Sequence, residues 1–200
     1  MSTTEHVPDD ELMPRIAGGD REAFAALYQR RRLDVYRFAL HMTASPAQAD
    51  DVTQEVFVAV IGAAHRYVSG RSGVAAWLLG IARNHVRRGV RWQRLRVPLS
   101  DASAAPRLTV DVDPLADLSR RREMIALRDA LRRLPLRNRE IVVLCDLQEL
   151  SYADAAAIAG CAIGTVRSRL HRGRAMLAAR LRRASTPKKA PFVNAIRTVL

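Results

Sequence analysis

Thr165, Arg167, Ser168, His171 and Arg172 sit in the stretch GTVRSRLHRGR, and their side chains carry the donors and positive charge that nucleic acid attracts. At 100° per residue, Ser168, His171 and Arg172 lie opposite an apolar stripe of Val166, Leu170, Gly173, Leu177 and Leu181, with Thr165 and Arg167 on their flanks. A helix fits the DNA major groove, and an arginine bidentate to guanine is worth roughly 1–3 kcal/mol of discrimination. A second basic row runs through Arg83, Arg87, Arg91 and Arg94, with Asn84 beside it, at a spacing suited to tracking phosphates. A third group has the opposite sign. Asp51, Gln54 and Glu55 form the exposed side of another helical stretch, and an acidic face on so basic a chain suits a protein partner better than DNA. Each face also has a plainer reading: a solvated basic surface for the arginines, a solubilising surface for the carboxylates.

The elements that must position these groups favour the first reading for the basic helix. Ser151 followed by Asp154 is a capping-box-like start, Ala155, Ala156, Ala159 and Gly160 keep the first helix slim, and a tight turn leads into the arginine-bearing second helix. That is a helix-turn-helix pattern. Upstream, a short helix is expected over Asp10 to Ala17, stopped by Gly18 and Gly19. Asp20 can cap a long helix in which Ala23, Phe24, Leu27 and Tyr28 recur at helical spacing. Ser45, Pro46 and Gln48 mark the next start. There Val52, Val56, Ala59 and Val60 form the inward stripe, which Phe57 and Ile61 are expected to widen. A Gly/Ser loop over 67–73 precedes a helix from Val74, whose Trp77, Leu78, Ile81, Ala82 and Val86 read as core. Trp77 and Trp92 could also stack on unpaired bases. A support helix over Asn138 to Leu147 is expected before Ser151.

Composition narrows the partner class. The chain has 200 residues and a formal net charge of +13, which points to a polyanion. Lysine stands only at 188 and 189, so 31 of the 33 basic side chains are arginine. Cys145 and Cys161 are isolated thiols without metal-ligand spacing, as expected in a reducing cytosol. With no apolar run near 18 residues and no charged-then-apolar leader, the expectation is a cytoplasmic protein without membrane insertion. No nucleophile–base pair, metal cluster or phosphate loop appears, so neither an enzyme nor a cofactor is expected.

The ordered set DDVTQEVF, AWLLGIARN, LPLRNREIVVLCDLQELSYADAAAIAG and GTVRSRLHRGR resembles the extracytoplasmic-function sigma factors of bacterial RNA polymerase, a class of the sigma-70 family, over about residues 10–183. The resemblance implies an all-α fold of two helical domains. A region 2-like bundle over 10–96 would dock on core polymerase and melt the minus-ten element. A flexible linker over 97–113 would join it to a region 4-like helix-turn-helix domain over 114–183, followed by an irregular basic tail over 184–200.

By the same resemblance, Asp51, Gln54 and Glu55 contact the clamp of the largest catalytic subunit. The loop from Val68 to Ala75 captures a base flipped from the minus-ten element, which Arg83, Asn84, Arg87 and Arg88 meet. Thr165, Arg167, Ser168, His171 and Arg172 read the minus-thirty-five element. Promoter DNA, core RNA polymerase and an anti-sigma factor are the implied partners, and no ATP-binding motif is needed. Two positions depart from the family: Ala162 often has a proline or polar counterpart, and Gly173 often has an alanine, which would favour the helix by about 1 kcal/mol. The linker is acidic at Asp101, Asp111 and Asp113, and 17 extended residues reach roughly 55–60 Å, enough to separate two DNA readers. The alternatives are a stand-alone helix-turn-helix regulator, which the acidic helix and long linker disfavour, and a resolvase-like recombinase, whose nucleophilic serine domain is missing.

Overall fold

A computed structural model describes residues 7–70, 72–95 and 124–185. The expected linker, the first ten residues of the expected second domain (114–123) and residues 186–200 of the tail lie outside the described residues, as do the side chains of Arg91, Trp92 and Arg94. Every regular element among the described residues is helical.

Local chemistry sets most of the boundaries. Helix α1, Asp9–Ala17, carries Asp9, Asp10 and Glu11 in its first turn, where the positive end of the helix dipole favours them. It ends at Gly18 and Gly19, the latter at φ +87°, a left-handed conformation open to glycine without strain. The Asp20 carboxylate accepts from the Glu22 and Ala23 amides at 2.9 and 3.0 Å and so opens α2, Arg21–Thr43. Those bonds and the neighbouring Arg15 hold the Asp20 carboxyl below its ordinary pKa. Ser45 Oγ accepts from Gln48 N at the start of α3, Pro46–Ala63, with proline at the first helical position. A 3₁₀ turn, Ala64–Arg66, and a short loop lead to α4, Val74–Leu95.

These four helices share one core. Leu12, Leu27, Phe38, Val56, Val60, Leu78 and Val86 are buried within it. Phe57 meets Phe24 and Tyr28 edge-on, the closer centroids 4.8 Å apart, while Phe24 and Tyr28 stack on each other. Asp9 ties α1 down by accepting from both Arg30 and Arg31.

The second module is smaller. A helix over 124–132, α5, precedes α6, Leu136–Val142, which widens into a π turn over Val143–Leu147. The expected single helix from Asn138 to Leu147 is thus longer at its start and changes pitch at its end. Helices α7, Tyr152–Ala159, and α8, Ile163–Ser185, follow. Leu131, Leu134, Ile141, Val143, Leu144, Ala155, Val166 and Leu170 fill the core between them.

Gly173 is buried where α8 crosses α6. A Cβ placed there would stand 2.6 Å from Val142 Cγ2 and 3.4 Å from the Asn138 carbonyl oxygen. Glycine is therefore required by the close approach of the two helices. The gain in helix propensity expected from alanine is outweighed by overlap with a buried, stiff valine.

The two modules touch. Arg139, on α6, donates to the Met42 carbonyl oxygen at the end of α2 at 2.7 Å, and its neighbour Glu140 pairs with Arg83 of α4.

Candidate nucleic-acid interface

The α7–turn–α8 unit is built as a helix-turn-helix. Ser151 Oγ accepts from Asp154 N at 3.1 Å and donates to the Asp154 carboxylate at 2.6 Å, so the first turn of α7 is closed by its own cap. At the other end Gly160 takes φ +62°, and Cys161 N donates back to the Ala156 carbonyl at 3.1 Å. This Schellman-type closure needs a residue without a Cβ penalty at the left-handed position. Ala162 offers no side-chain oxygen to α8; Thr165 N and Val166 N bond to its backbone carbonyl instead.

On α8 the inward face is Val166, Leu170 and Gly173, all buried, with Leu177 and Leu181 half-buried. Arg167, Ser168, His171 and Arg172 are exposed on the other side, and Thr165 is half-buried. Ser168 Oγ donates to the Thr165 carbonyl at 3.1 Å, while Arg172 Nε donates to the Ser168 carbonyl at 3.2 Å. Arg172 therefore lies along its own helix. Releasing it costs two exposed bonds, the second from Nη2 to Ser168 Oγ at 3.4 Å, which is modest beside a bidentate base contact. Arg174, next in line, is committed to Asp146 at 2.6 and 3.1 Å.

On α4 the expected basic row is split. Asn84, Arg87 and Arg88 are exposed. Arg83 is not: its guanidinium pairs with the Glu140 carboxylate and donates to the Ala159 carbonyl at 2.8 Å, leaving the Arg83 and Glu140 side chains 12% and 5% exposed. The expectation that Arg83 is presented beside its neighbours is corrected accordingly. Four residues before Arg87 on α4, it faces α6 and the C-terminal end of α7, whose last carbonyls attract a cation. Trp77 is half-buried, edge-on to Tyr67 with centroids 5.7 Å apart. Tyr67 donates to both Asp10 and the Ser72 carbonyl, tying down the loop that carries exposed Val68 and Ser69; burial, then Asp10, raises the Tyr67 pKa.

On α3, Asp51, Gln54 and Glu55 are exposed, and Glu55 Oε2 lies 3.8 Å from His85 Nδ1. Val58 and Ile61 extend that face and are 68% and 62% exposed. Phe57 is buried as expected, but Ile61 is not. Seven residues after Gln54, about 20° short of two turns, it falls in line with the acidic side rather than the core. Sequence reasoning missed three residues here: Val58, Arg139 and Glu140. A glutamate within the apolar run EIVVLC was the available signal for the last, because a buried carboxylate demands a partner.

A helical bundle with an acidic outer face, joined to a helix-turn-helix with an arginine-bearing second helix, defines a DNA reader that also grips a protein. The Sigma-70 region 2 family matches residues 27–96, and the Sigma-70 region 4 family matches residues 124–177. The ECF RNA polymerase sigma factor SigC of Mycobacterium tuberculosis is 39% identical over 184 residues, covering 88% of this chain and 95% of that protein. The structure of CnrH in complex with the cytosolic domain of CnrY is similar at TM-score 0.67 and 26% identity, covering 88% of this chain and 99% of that one. The sigma factor RpoE of Bartonella quintana, in complex with the anti-sigma factor NepR, is similar at TM-score 0.66 and 26% identity, covering 80% and 98%. The chain belongs to the ECF RNA polymerase sigma factors of the sigma-70 family. It is an alternative sigma factor, which binds core RNA polymerase and promoter DNA in transcription initiation. Among the described residues no helix is long and apolar enough to cross a membrane.

Proposed function

We propose that this sigma factor divides its work among three faces. Asp51, Gln54 and Glu55 on α3 dock on the clamp of the largest subunit of core polymerase. Asn84, Arg87 and Arg88, with Arg83 once it is freed from Glu140, meet the minus-ten element, while the loop from Val68 to Ala75 holds an extruded base. Unstacking costs a few kcal/mol per step, and a site for the extruded base offsets it. Thr165, Arg167, Ser168, His171 and Arg172 read the minus-thirty-five element. The working domains span 10–96 and 114–183, joined by the segment 97–113.

The observation that carries this reading is the separation of charge by face: carboxylates outward on α3, guanidiniums outward on α4 and α8. The activity is promoter selection in the cytoplasm, without catalysis by this chain; the first two residues of the expected tail, 184 and 185, belong to α8. An anti-sigma factor is the further partner, in keeping with the complex in which RpoE was solved. Run-off transcription with purified core polymerase is the decisive experiment. Chain-dependent initiation at a defined start site supports the scheme; a chain that binds a promoter tightly by itself yet directs no transcription would favour a stand-alone regulator.

A further inference from the structure

The contact between the modules encloses a cleft of about 240 Å³, lined by Arg83, Arg87, Arg137, Glu140 and Arg169 with the backbone of Ala159 and Gly160. Four guanidiniums face one carboxylate, and that carboxylate is already paired with Arg83. Arg87, Arg137 and Arg169 have no carboxylate partner among the described residues; Arg169 donates only to Cys161 Sγ, at 3.7 Å. Like charges gathered in a partly enclosed space repel one another, and an anion relieves that repulsion.

The geometry points to this cleft as a binding site for a small anion carrying a phosphoryl or pyrophosphoryl group. Guanidinium forks match the several acceptor oxygens of a phosphate, which can serve arginines from α4, α6 and α8 at once, whereas a carboxylate offers only two oxygens. A cleft of about 240 Å³ suits a phosphate or pyrophosphate group and is too small to take in a duplex. Because Arg83 and Arg87 come from the first module and Arg137 and Arg169 from the second, a bound anion bridges the two and favours the closed arrangement. Arg83 and Arg87 are shared with the surface proposed for the minus-ten element, whereas Arg137 and Arg169 belong to the cleft alone, and the test acts on those two and needs neither promoter nor polymerase.

The full chain is titrated with inorganic phosphate, inorganic pyrophosphate and ADP by calorimetry, at ionic strength held constant with sodium chloride, since screening alone alters so basic a surface. Saturable one-site binding of pyrophosphate, with a rise in the unfolding midpoint, is expected. ADP binding at least tenfold tighter than pyrophosphate identifies a nucleotide as the source; equal affinity identifies the bare anion. Arg137→Gln with Arg169→Gln should weaken binding at least tenfold. Arg137→Lys with Arg169→Lys, which keeps the charge but loses the fork, should fall between. Arg21→Gln with Arg66→Gln removes the same charge from exposed positions outside the cleft and should change affinity less than twofold. Non-saturating heats, or equal weakening by the two glutamine pairs, would overturn the proposal by reducing it to diffuse attraction.

Discussion

Arg83 of α4 and Glu140 of α6 form an ion pair across the junction of the two modules, 57 positions apart in the chain, with side chains only 12% and 5% exposed. Removing two charges from water is expensive, and such a pair adds little net stability over an apolar contact, but deleting one partner typically costs about 3–5 kcal/mol. Its value here is positional. It selects one placement of the helix-turn-helix against the bundle, and in that placement an arginine proposed for the minus-ten element is occupied.

Glu140→Ala should therefore open the molecule rather than unfold it, because Arg83 can turn to solvent once α6 moves away. Small-angle scattering is expected to show a larger radius of gyration, with helical content unchanged. The variant alone should also bind promoter DNA better than the parent chain. An unchanged radius would mean that the pair does not govern the arrangement.

Gly173→Ala should destabilise the second module although alanine is the better helix former. About 1 kcal/mol of propensity is gained, and overpacking against Val142 costs ~1–3 kcal/mol. A lowered urea midpoint is the readout. Adding Val142→Ala removes the overlap, so the two changes should be clearly non-additive.

His41 is half-buried near Arg128 and Arg37. Burial first, then the two guanidiniums, push its pKa down to about 4 from 6.5. The unfolded chain therefore binds a proton that the folded chain refuses between those values, so stability is full above pH 6.5 and falls as pH drops toward 4. The loss from this group is at most about 3 kcal/mol. His41→Gln should flatten that part of the stability profile; parallel curves for variant and parent would assign the acid sensitivity to other groups.

Glu55→Arg reverses a charge at the middle of the α3 face without touching the core, since the side chain is exposed. Association with core polymerase should weaken at least tenfold in a pull-down titration, with the unfolding midpoint nearly unchanged. Undiminished association would remove α3 from the docking surface.

Arg172→Ala should weaken binding to the upstream element by ~1–3 kcal/mol in a sequence-dependent way. A uniform loss across altered sites, with a shallower salt dependence, would make Arg172 a phosphate contact instead.

Features determined by near neighbours in the chain are legible in the amino-acid sequence. Asp20, Ser45 and Ser151 cap helices through bonds that span only two or three residues, and Gly160 marks a turn by its own conformational freedom. The stripe of Val166 and Leu170 follows from helical periodicity alone. What escapes the sequence depends on distant partners. The pairing of Arg83 with Glu140, the bond from Arg139 to Met42 and the close approach at Gly173 join residues that no spacing rule connects. Ile61 departs from expectation for a different reason: apolar side chains on both sides of the end of α3 blur its periodicity, and only its exposure reveals which side is core.

The missing side chain at Gly173 lets α6 and α8 lie in direct contact, so that the two helices pack as one unit. The outward face of α8 and the clasp formed by Arg139 and Glu140 thus sit on one packed pair of helices. If α8 reads the upstream element as proposed, moving that pair of helices away from the bundle would part Arg139 from Met42 and Glu140 from Arg83 together.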